Sequence, residues 1–408
     1  MTKPPVDNKE ALAIAQAWIT QADAALYQTN QSLHANPELA YQEHKAHDNL
    51  CNFLEDQGYS VTRKAYGLDT SFEASSGSGG REVVICAEYD ALPAIGHACG
   101  HNLIATSSMA AFLGASKALS KLQVPGRVRI LGTPAEEGGG GKISLIRAGA
   151  FSGASASIMS HPVTPDSLST DTEVSGSAAL NLVASIKFRV EFRGRSAHAA
   201  GEPWNGLNAL DAAVAAYNNV SLLRQQIRPE ERVHAVFEDG GTVPNVIPDY
   251  TRMNWYIRSP TIEQGEELRN RVAACIEAGA SATGCSVGYI RAEDYKNVVG
   301  NRTICETYSR VMAMVGRKVL AEQEKPLVAS TDMGNVSHEL PSMHGAFTIP
   351  ACPGAALHSK KFAAAAGERA GHEAAIDCGT GMALLAINIL SDDRLAEEMQ
   401  QDFINKRE

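Results

Sequence analysis

The stretch Glu88-Tyr89-Asp90-Ala91-Leu92-Pro93-Ala94-Ile95-Gly96-His97-Ala98-Cys99-Gly100-His101 decides how the rest of this chain is read. It follows Glu82-Val83-Val84-Ile85-Cys86-Ala87, an apolar run with the length of a buried strand. The strand must break at Pro93, which brings no amide proton to a ladder. The loop beyond delivers Cys99 and His101 one residue apart. Gly100 between them permits the sharp bend that brings both side chains to one point. A thiolate and an imidazole converging in a loop suit Zn²⁺ or a similar divalent ion. Taken alone, the triplet reads more simply as a buried cysteine beside a surface histidine, so further donors have to come from elsewhere.

Moving downstream, Asn102 to Ser120 is Ala-rich and periodic, so a helix starts just past His101. Gly126 to Pro134 is a second strand stopped by a proline, and Glu136-Glu137 follow at once. Two adjacent carboxylates after a core strand are costly unless something positive holds them. Read as an extended segment, they point to opposite sides and can take different jobs. The glycines after them invite a phosphate-loop reading. That motif would need glycine where Glu136 stands and a hydroxyl residue where Ile143 stands. Ser157 to Pro162 is a third strand, with His161 at its end. Chemistry gathered at strand C-termini fits an open α/β sheet.

Upstream, Ala11 to Leu33 and Glu43 to Gln57 read as helices, and Ser75-Ser76-Gly77-Ser78-Gly79-Gly80 as a tight turn. His34, His44 and His47 read as surface residues. His97 is expected to hydrogen-bond within its own loop. From Leu182 the texture changes to strand, helix, two strands, helix, strand: a ferredoxin-like βαββαβ insert, antiparallel with one open face. After Ala292 the first texture returns. Asp332, His338 and His344 fall in a polar stretch read as ordering a loop rather than lining a leaving-group pocket, Trp204 and Tyr256 are read as packing, and Arg394 onward as a polar tail. The expected domains are 1–181 and 293–408 for one α/β unit and 182–292 for the insert.

At 408 residues the chain exceeds one comfortable core. A formal net charge of −10 argues against a nucleic-acid partner. The N-terminus shows no apolar signal-like run, and no stretch approaches the roughly 20 apolar residues of a membrane span. Eight scattered cysteines make a disulfide framework an unfavoured reading. The expectation is a reduced, cytoplasmic protein with no membrane partner.

Several strings, in order along the chain, resemble the M20 metallopeptidases: Asp90-Ala91-Leu92-Pro93, His97 to His101, Thr133 to Gly138, His161, Ser196 to Ala200, Asn245-Val246-Ile247-Pro248 and His358. The likeness is strongest to the branch called M20 domain-containing protein 2, dipeptidases of β-alanyl-lysine and of ornithine- or lysine-ended dipeptides. Asn102 supports that branch, since the auxin-conjugate hydrolases carry Asp there. The resemblance implies a zinc-peptidase-like α/β catalytic domain, with the insert as lid and dimerisation domain of a homodimer. It makes Cys99, His101, Glu137, His161 and His358 the ligands of two divalent ions, Zn or Mn with Co also possible, Cys99 bridging them. Glu136 becomes the general base, and Asp90 the residue that orients a ligand. His198 becomes the oxyanion donor, and Asn245 and Arg258 hold the substrate carboxylate.

The chemistry wants these types. Paired ions activate water and polarise a carbonyl. A base that is not itself a ligand can take and return a proton. A carboxylate suits the forked guanidinium of Arg258. The activity implied is metal-dependent hydrolysis of the amide of a small dipeptide, β-alanyl-lysine-like. The alternatives are an N-acyl amino acid or aminobenzoyl-glutamate amidohydrolase and, more remotely, a non-catalytic subunit of a hetero-oligomer.

Overall fold

The computed structural model describes residues 6–169, 171–323 and 327–406. Residues 1–5, part of the N-terminus read for a signal-like run, lie outside them. The chain forms two compact units: one built from the residues up to Asn181, Val298–Leu327 and Thr331 onward, the other from Leu182–Asn297 with Val328–Ser330.

The first unit is organised by an eight-stranded sheet. Its centre is four parallel strands in the spatial order Gly126–Gly132, Glu82–Ala87, Ala156–Val163 and Ser342–Thr348. Every residue of Glu82–Ala87 is buried. Val83 and Ile85 join one apolar cluster, Val84 and Cys86 another. Both faces are therefore covered, which is why this strand reads as an unbroken apolar run.

One face is covered in two tiers, with Asn8–Ala35 packed on the helices that touch the strands, His101–Lys121 and Arg369–Ser391. The last is nearer in length and composition to a membrane span than the sequence reading allowed, but most of it is buried in this core. It approaches the His101–Lys121 helix so closely that a Cβ on Gly379 would sit 2.6 Å from the Ser107 carbonyl oxygen.

Three local expectations need correction. The run Ser75–Ser78 extends the strand Phe72–Ser78, paired with Gly126–Gly132, so the turn is confined to the glycines after it. His47 is buried, its ring against Phe72. The polar tail is a helix, Asp393–Asn405, whose Leu395, Met399 and Phe403 are buried at four-residue spacing.

The second unit is the βαββαβ fold expected. Its antiparallel sheet runs Ser286–Arg291, Ala184–Arg193, Tyr250–Ser259, Arg232–Asp239. Ala209–Leu223 and Ile262–Thr283 close one face over Phe188, Val190 and Trp255. Burial alternates residue by residue along Tyr250–Ser259, as a sheet with one open face requires.

Candidate metal centre

The site lies at the C-terminal ends of the central parallel strands. Glu82–Ala87 runs into Glu88 and Asp90, Gly126–Gly132 into Glu136 and Glu137, and Ala156–Val163 carries His161 near its end. The Cys99 loop ends on Gly100 at φ 82, from which the His101 helix starts. A Cβ on Gly100 would lie 2.6 Å from Pro162 Cγ, so both conformation and space demand glycine. His358 reaches the centre from a left-handed backbone, φ 62, and its N–H donates to the Ala98 carbonyl at 2.9 Å. The strain of that conformation is held by a bond to the cysteine loop itself.

The structure brings the five expected donors together in two overlapping triads, Cys99–His101–His161 and Cys99–Glu137–His358. Cys99 Sγ lies 3.3 Å from His161 Nε2, and His358 Nε2 lies 3.5 Å from Glu137 Oε1. His161 Nδ1 is 2.8 Å from its neighbour's carbonyl on Pro162, which places the ring proton there and leaves Nε2 to face the sulfur. Asp90 Oδ1 lies 2.9 Å from His101 Nδ1, and Oδ2 accepts the Glu137 N–H at 2.9 Å. His101 Nε2 is buried with no hydrogen-bond partner, as is Glu137 Oε1. Unsatisfied buried atoms of this kind, aimed at one point, are what a cation site presents.

Glu136 and Glu137 are not extended as predicted; they sit in a turn after Ala135, itself at φ 62. Glu43 secures that turn: its carboxylate accepts from the Ala135 N–H and from the Thr70 hydroxyl, both at 2.9 Å. Burial, then the Asp90 charge, push the Glu43 carboxyl up to about 7.

The electrostatics divide the glutamate pair. Burial, then Glu88, Glu137 and Asp332, push the Glu136 carboxyl well above its ordinary value. Burial also raises Glu137, but the adjacent His358 imidazole and the His101 charge carry it down to about 2. Burial and Glu137 push the Cys99 thiol well up. Burial opposes charge on His101, yet Asp90 and Cys99 raise it well above the usual imidazole range. Burial and His101 bring His161 down to about 4. A cation held by the Cys99 sulfur has to displace the thiol proton, so its binding strengthens as pH rises.

Sequence reasoning missed a group beside this centre. Lys142 is fully buried and its ammonium bridges Glu88 Oε1 at 2.5 Å and Asp332 Oδ1 at 2.6 Å. Asp332 Oδ2 also accepts the Lys142 backbone N–H at 2.9 Å. Glu88 Oε2 then faces His101 Nε2 at 3.5 Å. Nothing in the local spacing pointed to it, because Lys142 and Asp332 are 190 positions apart. His97, expected to bond its own loop, instead lies 3.1 Å through Nε2 from the Leu33 carbonyl on the first helix.

His198, Asn245 and Arg258 belong to the second unit. The segments around His198 and Asn245 pair directly, with Ala199 N–H on the Asn245 carbonyl and Ile247 N–H on that of Ala197. His198 Nδ1 accepts the N–H groups of Ala200 and Gly201 at 3.2 and 3.0 Å, so the neutral ring carries its proton on Nε2. Arg258 Nη1 donates to Ser330 Oγ at 2.5 Å. Trp204, read as packing, is 76% exposed.

Comparison with known proteins agrees with this architecture. The peptidase dimerisation domain of the M20 family matches residues 182–283. Along 400 residues the chain is 38% identical to the Xaa-Arg dipeptidase of Mus musculus, covering 94% of this chain and 90% of that one. It is 26% identical over 439 residues to a p-aminobenzoyl-glutamate hydrolase chain of Escherichia coli, covering 90% and 89%. Among solved structures, a dinuclear metal-binding M20 peptidase from Bacillus subtilis has the same fold, with a TM-score of 0.68 at 21% identity, covering 92% of this chain and 99% of that one.

Proposed function

We propose, from the premise that this chain belongs to the M20 peptidase family, that it is a metal-dependent dipeptidase whose substrates end in a cationic residue. The observation that carries this reading is the convergence of two donor triads on Cys99. A thiolate shared between two triads fits a pair of divalent ions, Zn²⁺ by the softness of sulfur, with Mn²⁺ or Co²⁺ as alternatives. Cys99, His101, Glu137, His161 and His358 would hold them. When bound, such ions supply Lewis acidity toward water and the scissile carbonyl.

The chain's own groups do the rest. Glu136, buried and displaced upward in affinity for a proton, takes one from the attacking water and returns it to the leaving amine. Glu137, held ionised, serves as a ligand instead. Asp90 fixes the His101 ring by its Nδ1, so that Nε2 is the ligating atom. His198, with its proton on Nε2, is a donor for the oxyanion. Arg258 and Asn245 take the substrate carboxylate. The βαββαβ unit serves as lid and as the interface of a homodimer.

Support for a cationic residue at the substrate's end comes from the Xaa-Arg dipeptidase relative. Aminobenzoyl-glutamate hydrolysis is the second reading, favoured by the E. coli relative. The test is a screen of purified protein, loaded with Zn²⁺, Mn²⁺ or Co²⁺, on β-alanyl-lysine, Xaa-Arg dipeptides, aminobenzoyl-glutamate and acyl-glutamine. Turnover is expected on the dipeptides with basic ends. Selective cleavage of aminobenzoyl-glutamate would transfer the assignment to the second reading, and no turnover of any amide would remove it.

A further inference from the structure

We propose that Glu88 is an additional metal-facing ligand of this centre, and that Lys142 is the positioning residue that aims it. The inference rests on the reading of the site as a two-ion centre. Two ligands of one tetrahedral ion with bonds of about 2.1 Å stand roughly 3.4 Å apart. Glu88 Oε2 and His101 Nε2 are 3.5 Å apart, the same separation as Glu137 and His358. Glu88, His101 and Glu136 form a third group of donors within mutual reach, all three buried. His101 Nε2, fully buried and without a hydrogen-bond partner, points into that group.

The reason Glu88 turns one oxygen to this corner is Lys142. The ammonium occupies Oε1, and Asp332 grips Lys142 at both its Nζ and its backbone N–H. Only Oε2 is left to face the histidine. A buried carboxylate without that cation would be expensive to keep ionised. The cation therefore keeps the ligand charged as well as aimed. Neither residue would reach solvent, since Glu88 and Lys142 are at most 1% exposed.

The geometry makes Glu88→Gln a sharp probe. Lys142 offers only donors, so it captures the amide oxygen and turns the NH₂, which cannot ligate, toward His101. Glu88→Asp keeps the charge but draws it back by one methylene. Zn²⁺ and Co²⁺ affinities of the intact chain are to be measured by chelator competition, the ion count by mass spectrometry under native conditions, and the Co²⁺ ligand field by visible absorption. Wild type should bind two ions. Both Glu88 variants, with folding checked by circular dichroism, should keep one at wild-type affinity and bind the other about 10–100-fold more weakly. The Co²⁺ spectrum should change for that ion alone. Lys142→Met should shift the same ion, and Lys142→Arg should restore part of the loss, which a merely structural lysine would not do selectively. Two ions bound at wild-type affinity by folded Glu88→Gln and Glu88→Asp would overturn the inference and leave the two-ion reading standing. No divalent ion on the wild-type chain would overturn both.

Discussion

Asp90 meets His101 with one carboxylate oxygen, 2.9 Å from Nδ1, and keeps the other for the backbone N–H of Glu137 at 2.9 Å. One buried side chain thus sets the ring of one donor and the main chain of another. In Asp90→Asn the amide oxygen can serve only one of these donors, and the NH₂ then opposes the other. The variant should bind divalent ions about 10–100-fold more weakly, measured by chelator competition. Affinity equal to wild type would remove Asp90 from its orienting role.

Glu136 and Glu137 are neighbours with opposite electrostatics, one pushed well up and the other down to about 2. Glu136→Gln keeps the shape but cannot accept a proton from water. Turnover should fall by about 10²–10⁴, while the ion count from elemental analysis stays at the wild-type value. Glu137→Gln should instead lose ions. If Glu136→Gln turned over normally, the base would have to be sought elsewhere.

What the sequence made legible was chemistry tied to local pattern. Cys99-Gly100-His101 and the glutamate pair each follow a strand, and His161 stands near the end of one, and the apolar runs of these strands could be read directly. The misses were of two kinds. Glu88 lay inside the decisive stretch, but its partner Lys142 and that partner's anchor Asp332 are distant in sequence, and no periodicity links them. The helix Asp393–Asn405 did carry a pattern, Leu395, Met399 and Phe403 at four-residue spacing, hidden by the charges between them. The turn at Ala135 defeated the extended reading because an alanine at φ 62 carries no sequence mark of its conformation.

Gly100 should tolerate no side chain. In Gly100→Ala the left-handed conformation costs about 1–2 kcal/mol, and overlap with Pro162 and Phe362 adds about 1–3 kcal/mol. Both penalties fall on the loop that presents Cys99 and His101. Gly138, with nothing within 4 Å of an added Cβ, is the control. Gly100→Ala should melt earlier and bind ions more weakly, whereas Gly138→Ala should differ little from wild type in thermal unfolding.

Glu43 gives stability a dependence on pH that runs opposite to that of a salt-bridged carboxylate. Burial and Asp90 push its folded value up to about 7, above the ordinary 4.5. Between these two values the folded chain holds a proton that the unfolded chain has released. Stability from this group is therefore fully present below pH 4.5 and falls as pH rises toward 7. The difference amounts to about 3 kcal/mol at most. Glu43→Gln cannot ionise, and its oxygen can still accept the Ala135 N–H while Thr70 Oγ turns to accept from its NH₂. With a chelator present, so that bound ions do not contribute, urea unfolding should show Glu43→Gln more stable than wild type at pH 8. The advantage should shrink steadily to nothing near pH 4.5. A constant offset between the two proteins across that range would mean that the Glu43 proton is not what sets the slope.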